Sequence, residues 1–239
     1  MINNNYKHII SLWFIFSILL ISGCFNRCQL SKSEQELHEK SLNMKDPKRW
    51  ENTIQQLTQM DYNNPPPEDA VLFVGSSTVV RWDTDKWFQG INTINHGFGG
   101  SFIADSVYYA DRIIVPYKPA TIVFYAGDND IAHGKSPEML IVDFKAFVLA
   151  IREELPHTKI IFISIKPSIK RWDIWPQMER ANKLIKKICQ KQPNLYFVDV
   201  STVMLDKSGT PRKDIFIDGL HMNEAGYQLW TSLLKPIIK

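Results

Sequence analysis

Cysteine is nearly absent from this chain: three among 239 residues, Cys24, Cys28 and Cys189. Three thiols build no disulfide framework, and with six scattered histidines they give no spacing that resembles a metal site. No metal and no cofactor is expected. Charge of one sign is equally scarce, because 28 basic side chains face 25 acidic ones for a formal net charge of +3. Neither Lys nor Arg forms a long run, so the electrostatic footprint of a nucleic-acid-binding protein is missing. What remains is ordinary globular composition, 44% hydrophobic and 22% charged, at a length that fits one domain with a sizeable core.

One apolar run stands out. Ile9–Ile21 follows the polar stretch Met1–His8, which carries only Lys7. It is shorter than the roughly 20 residues a bilayer-spanning helix needs, and it matches the hydrophobic region of a secretory signal. Next comes Ile21-Ser22-Gly23-Cys24, which resembles the lipobox of bacterial lipoproteins. That resemblance implies cleavage before Cys24 and lipidation of Cys24, several acyl chains giving stable membrane anchoring where one is marginal. The alternative is an uncleaved anchor with an incidental cysteine. The expected divisions are a signal peptide over 1–23, a lipidated tether and N-terminal helix over 24–64, and one domain over 65–239. The expected location is the cell envelope. In a two-membrane bacterium it is the outer membrane or the periplasmic face, since Phe25 does not look like an inner-membrane retention signal. Cys28 and Cys189 are then left either free or paired in an oxidising compartment.

From about Gln29 to Asn64 the chain is polar and poor in β-branched residues, which reads as a tether leading into helix. Asp46-Pro47 is a good helix start, and Trp50, Ile54 and Leu57 supply an apolar stripe at helical spacing. Pro65-Pro66-Pro67 ends it. Apolar runs of strand length then recur at Ala70–Val74, Ile91–Ile94, Thr121–Ala126, Lys159–Ile165 and Tyr196–Val200. Helix-like stretches lie between and after them: Phe102–Ile114, Pro137–Leu155, Trp172–Gln190 and Glu224–Leu234. Continuous apolar strands separated by helices predict a three-layer α/β/α sandwich around a five-stranded, mainly parallel sheet.

In such a sheet ligands bind beyond the carboxyl ends of the strands. The first strand runs into Gly75-Ser76-Ser77, the second into Asn95-His96-Gly97-Phe98-Gly99-Gly100-Ser101, and the third into Gly127-Asp128-Asn129-Asp130. Asp218-Gly219-Leu220-His221 precedes the last helix. Together these supply a hydroxyl, flexible backbone amides, a carboxamide and an acid near an imidazole, the inventory of acyl transfer. Singly, each has a plain structural reading as a capped turn, a tight glycine turn, a loop-stabilising asparagine or an exposed histidine. The glycines do not match GxGxxG, and no acid ends the next strand, which argues against a dinucleotide site.

The four segments resemble the conserved blocks of SGNH/GDSL hydrolases: VLFVGSSTVVRW, NHGFGGS, YAGDND and DGLHMNEAGY. The likeness runs from about Ala70 to the C-terminus and is strongest for the bacterial branch similar to the platelet-activating-factor acetylhydrolase catalytic subunit. It implies a flavodoxin-like SGNH hydrolase fold and a serine esterase, with Ser77 as nucleophile, His221 as base and Asp218 as its orienting acid. It also implies an oxyanion hole built from the amides of Ser77 and Gly100 and the side chain of Asn129. The middle residue of the family's Gly-Asp-Ser is here Ser76, which leaves two adjacent hydroxyls.

The implied substrate is a small or lipid-like acyl ester, with short-chain, acetyl and longer acyl groups all open. The same apparatus would serve an acyltransferase or a cell-envelope sugar deacetylase, and a non-catalytic binding lipoprotein is the alternative outside enzymes. Trp82, Phe98, Tyr125 and Trp175 lie near the strand-end loops and are either pocket lining or core. Lys166-Pro167 and the stretch to Arg171 read as a solvated loop, or as a contact for an anionic head group.

Overall fold

The computed structural model describes residues 29–238. Helix α1 (Lys32–Asn43), a 3-10 turn at Pro47–Trp50 and α2 (Glu51–Asn63) precede the sheet. The chain continues through β1 (Val71–Gly75), α3 (Ser77–Val80), α4 (Thr84–Trp87), β2 (Thr93–Gly97), α5 (Ile103–Tyr108) and α6 (Ala110–Ile113). Then follow β3 (Thr121–Tyr125), α7 (Asp128–Ala132), α8 (Pro137–Glu154), β4 (Lys159–Ile163) and α9 (Trp175–Cys189). β5 (Leu195–Val198), α10 (Ser201–Met204) and α11 (Glu224–Ile238) complete it.

The five strands pair in the order β2-β1-β3-β4-β5, every neighbour parallel. The chain steps outward from β1 to β2 and then crosses back to β3, so the order reverses beside β1. That is the switch point at which open α/β sheets form their ligand crevice. β2 extends further than its apolar run, through Asn95 and His96 to Gly97. Its polar residues stay in the ladder because each is satisfied: Asn95 Nδ2 donates to the Val79 and Trp82 carbonyls, and the His96 ring lies between Ile113 O and Asp61.

Alternation along β1 explains its unbroken apolar reading. Leu72 and Val74 join a core with Ile122, Phe124, Phe144, Phe147 and Ile185, beneath α8 and α9. Val71 and Phe73 point the other way, into Val123, Tyr125, Trp82, Trp230 and Leu234, beneath α3, α4 and α11. Each such side chain contributes about 1.5–3 kcal/mol by leaving water. Trp82, Phe98, Tyr125 and Trp175 are all buried in these two cores. Cys189 is buried too, whereas Cys24 and Cys28 fall outside the described residues.

Part of the expected tether is helix. Ser31 and Glu34 form a capping box that starts α1, and polar contacts dock it: Glu34 with Lys145 at 2.6 Å, and His38 Nδ1 with Asp143 Oδ1 at 2.7 Å. Lacking an apolar stripe, α1 attaches through charge, which hydrophobic periodicity does not register.

The α1 contacts end in a buried ion cluster. Lys135 is fully buried and lies 3.0 Å from Asp130 and 2.9 Å from Asp143, while Ser41 Oγ donates to Asp143. Burial pushes the Asp130 carboxyl up to about 6, with the Lys135 charge opposing. Removing the shared cation leaves Asp130 without its ion-pair partner and Asp143 with only His38 and Ser41, so Lys135→Met is expected to lose about 3–5 kcal/mol. Urea unfolding checks this, and a loss below about 1 kcal/mol would show that the cluster carries little.

Candidate active site

β1 ends at Gly75, where nothing larger fits. Its φ is +142°, and a Cβ there would stand 1.9 Å from the Tyr125 carbonyl oxygen on β3. The next two residues part company. Ser76 is fully buried, and its hydroxyl has no hydrogen-bond partner among the described residues. Ser77, the first residue of α3, is half-buried, and its Oγ lies 3.2 Å from His221 Nε2. α3 is pressed onto β2, since a Cβ at Gly97 would meet the Val80 nitrogen at 2.5 Å.

His221 sits on a tight loop. Phe216 and Met222 form an antiparallel bridge, and Ile217 N–H donates to the His221 carbonyl. Gly219 turns the loop at φ +80°. Inside it, Asp218 Oδ1 accepts from the His221 and Leu220 amides at 2.7 and 2.9 Å, and Oδ2 lies 2.8 Å from His221 Nδ1. These hydrogen bonds, the His221 amide foremost, hold the Asp218 carboxyl well below the usual carboxylate range. Asp218 therefore stays ionised, and its contact with Nδ1 fixes the ring so that Nε2 faces Ser77. A continuous line runs from carboxylate through imidazole to hydroxyl.

The loop after β2 closes one side of Ser77. A Cβ at Gly99 would be 3.7 Å from Ser77 Cβ, and Gly100 adopts the left-handed conformation at φ +81°. Trp50, from the N-terminal segment, covers Gly100, its ring 3.6 Å from where a Cβ would be. Asn129 is buried at the start of α7, and its Nδ2 donates to the Ser101 carbonyl at 3.1 Å. Ser77, the Gly97–Ser101 loop, Asn129 and His221 thus meet at one edge of the sheet.

Beneath Asn129 the site is charged, which sequence reasoning missed. Asn129 stands between two buried aspartates, and each faces its own buried lysine. Asp130 meets Lys135, and Asp128 meets Lys166 at 3.2 Å. Lys166 is 1% exposed, so it is no solvated loop residue; its ammonium also donates to Thr78 Oγ1 and Tyr125 Oη at 3.1 Å each. Arg171, largely buried as well, places Nη1 3.0 Å from Asp128 Oδ2 and donates from Nη2 to Asn129 Oδ1 at 2.9 Å. Burial opposes ionisation of Asp128, but the Lys166 and Arg171 charges override it and keep the carboxyl below its usual range. The only signal available was three cations, Lys166, Lys170 and Arg171, after a buried strand, a pattern that ordinary loops share.

Among the described residues no group of histidine, cysteine and acidic side chains has the arrangement of a metal site. The chain spans 71% of its own length and 75% of its relative in an alignment, 26% identical, with the platelet-activating factor acetylhydrolase IB subunit alpha2 of Gallus gallus. A Streptococcus pneumonia structure named for platelet activating factor superposes with TM-score 0.73 at 21% identity, covering 87% of this chain and 98% of that one. A GDSL-like lipase from Bacteroides thetaiotaomicron gives TM-score 0.66 at 19% identity, covering 77% and 96%. At these identities the two structures show a shared fold. The model of the GDSL-like Lipase/Acylhydrolase family matches residues 78–229, well over half of the chain, and the protein therefore belongs to that family of hydrolases.

Proposed function

We propose that this protein is a serine esterase that hydrolyses carboxylic esters with Ser77 as nucleophile, His221 as general base and Asp218 as the group that orients and stabilises the imidazolium. The observation that carries this reading is the hydrogen-bonded line itself, 3.2 Å from Ser77 Oγ to His221 Nε2 and 2.8 Å from His221 Nδ1 to Asp218. A serine hydroxyl is a weak nucleophile at neutral pH unless a base removes its proton as it attacks. His221 takes that proton and returns it to the leaving alcohol. Water then attacks the acyl-serine, with His221 again as base, and releases the acid. Ser76 is buried, and its hydroxyl has no such partner among the described residues.

The oxyanion is held by the Ser77 and Gly100 amides and by Asn129 Nδ2. Asn129 has one hydrogen on that nitrogen left after its bond to Ser101, and Gly100 has the left-handed backbone that a tight loop around Ser77 requires. The substrate we assign is a small or lipid-like acyl ester. The acetylhydrolase name of the Gallus gallus relative favours the short-chain end of that range.

We also propose attachment to the cell envelope through lipid on Cys24, supported by the Ile21-Ser22-Gly23-Cys24 motif behind its apolar run. In a bacterial host, Cys24→Ala is then expected to move the protein from the membrane to the soluble fraction and to remove its lipid mass. Unchanged fractionation would contradict the anchor.

A panel of aryl esters graded by acyl length tests the chemistry. Ser77→Ala is expected to be nearly inactive. Asn129→Ala should lose about a hundred- to a thousandfold in kcat, and Asp218→Asn on the order of ten-thousandfold. Ser76→Ala should turn over within a few-fold of wild type. Retained activity in Ser77→Ala, or its loss only in Ser76→Ala, would refute the assignment.

A further inference from the structure

The geometry points to Arg171 as a positioning residue that locks the Asn129 carboxamide with its N–H edge toward the oxyanion. This rests on the proposed role of Asn129. A carboxamide has two orientations related by a half-turn, and only one presents an N–H donor to developing negative charge. In the other, a carbonyl oxygen would face the oxyanion and repel it. Something must choose between them, and the surroundings of Asn129 do.

Arg171 Nη2 donates to Asn129 Oδ1 at 2.9 Å. Guanidinium is donor-only, so a flipped amide would set N–H against N–H at that contact. On the opposite side, Nδ2 donates to the Ser101 carbonyl, an acceptor-only group, at 3.1 Å. A flip would set oxygen against oxygen there. Each contact disfavours the wrong orientation, the two together hold the right one, and one Nδ2 hydrogen stays uncommitted.

Arg171 is itself held. Its Nη1 lies 3.0 Å from Asp128 Oδ2, an ion pair, and the same oxygen takes Lys166 Nζ at 3.2 Å. Asp128 Oδ1 accepts the Asn129 backbone N–H at 3.0 Å. The residue before Asn129 therefore fixes both the asparagine backbone and the arginine that fixes its side chain. Planarity matters here, since one rigid group pairs by charge with Asp128 while its other nitrogen donates to the Asn129 carbonyl, whereas an ammonium is a point donor on a flexible stem. Lys166 contacts that same Asp128 oxygen, so the carboxylate keeps a buried cation even without Arg171.

The test is a double-mutant cycle on a short aryl ester, with Tm followed in parallel. Arg171→Met is expected to lower kcat about ten- to a hundredfold with KM changed less than about threefold, because the loss is of transition-state stabilisation. In an Asn129→Ala background the same change should cost less than about twofold, as no amide remains to orient. Should Arg171→Met fold poorly, Arg171→Lys retains the charge beside Asp128. It is expected to keep Tm near wild type while losing a large part of kcat. Full, additive loss on top of Asn129→Ala, or an effect confined to KM, would make Arg171 a substrate contact and overturn the inference. Wild-type kcat in Arg171→Met beside a crippled Asn129→Ala overturns it alone. Wild-type kcat in Asn129→Ala overturns the proposed oxyanion site as well.

Discussion

A charge removed from water needs a partner, and the edge of this sheet where four loops meet carries several charges that have left it. Asn129 lies in the middle of them, with Asp128 and Lys166 to one side and Asp130 and Lys135 to the other. Each aspartate costs several kcal/mol to bury unpaired, and its lysine offsets that cost. The proposed oxyanion donor is thus flanked by two buried ion pairs. Rigid aim in a dry site is also what makes a hydrogen-bond donor effective on a developing oxyanion.

The second cluster reaches further. Through Asp143 it touches His38 and Ser41 of α1, and Asp130 also accepts the Ile103 amide at the start of α5. Arg49 pairs with the buried Asp105, which caps the same helix by accepting the Phe102 amide at 2.8 Å, and Trp50 covers Gly100. The N-terminal segment lies outside the region matched by the family model, yet it packs against the loop that carries Gly100. Fold and site are continuous here: the contacts that dock α1 reach the neighbour of Asn129 through Asp143, Lys135 and Asp130.

Much of this was legible beforehand, for physical reasons. Strands covered on both faces must be apolar throughout, so β1, β3 and β4 announced themselves, and a parallel alternation sends every strand end to one edge. Gly75 and Gly97 stand where another backbone approaches closely, and Gly97, Gly99 and Gly100 are visible in sequence as a cluster. The loop 218–221 was legible because an acid and an imidazole three residues apart around a glycine suit one tight turn. Burial of Lys166 and Arg171 was not, because a cation's environment is set by partners distant in sequence. The same holds for α1, whose polar face docks on charge, and for Asn95 and His96, which stay in β2 through contacts no periodicity encodes.

The central claim is that Ser77, His221 and the oxyanion donors act on one reacting centre. Reaction with a small fluorophosphonate, followed by peptide mapping and a crystal structure of the adduct, tests it most directly. The account predicts phosphorus bonded to Ser77 Oγ alone, with one phosphoryl oxygen within about 3 Å of the Ser77 and Gly100 amides and Asn129 Nδ2. Folded protein that fails to react, an adduct on Ser76, or a phosphoryl oxygen turned away from Asn129 would contradict it.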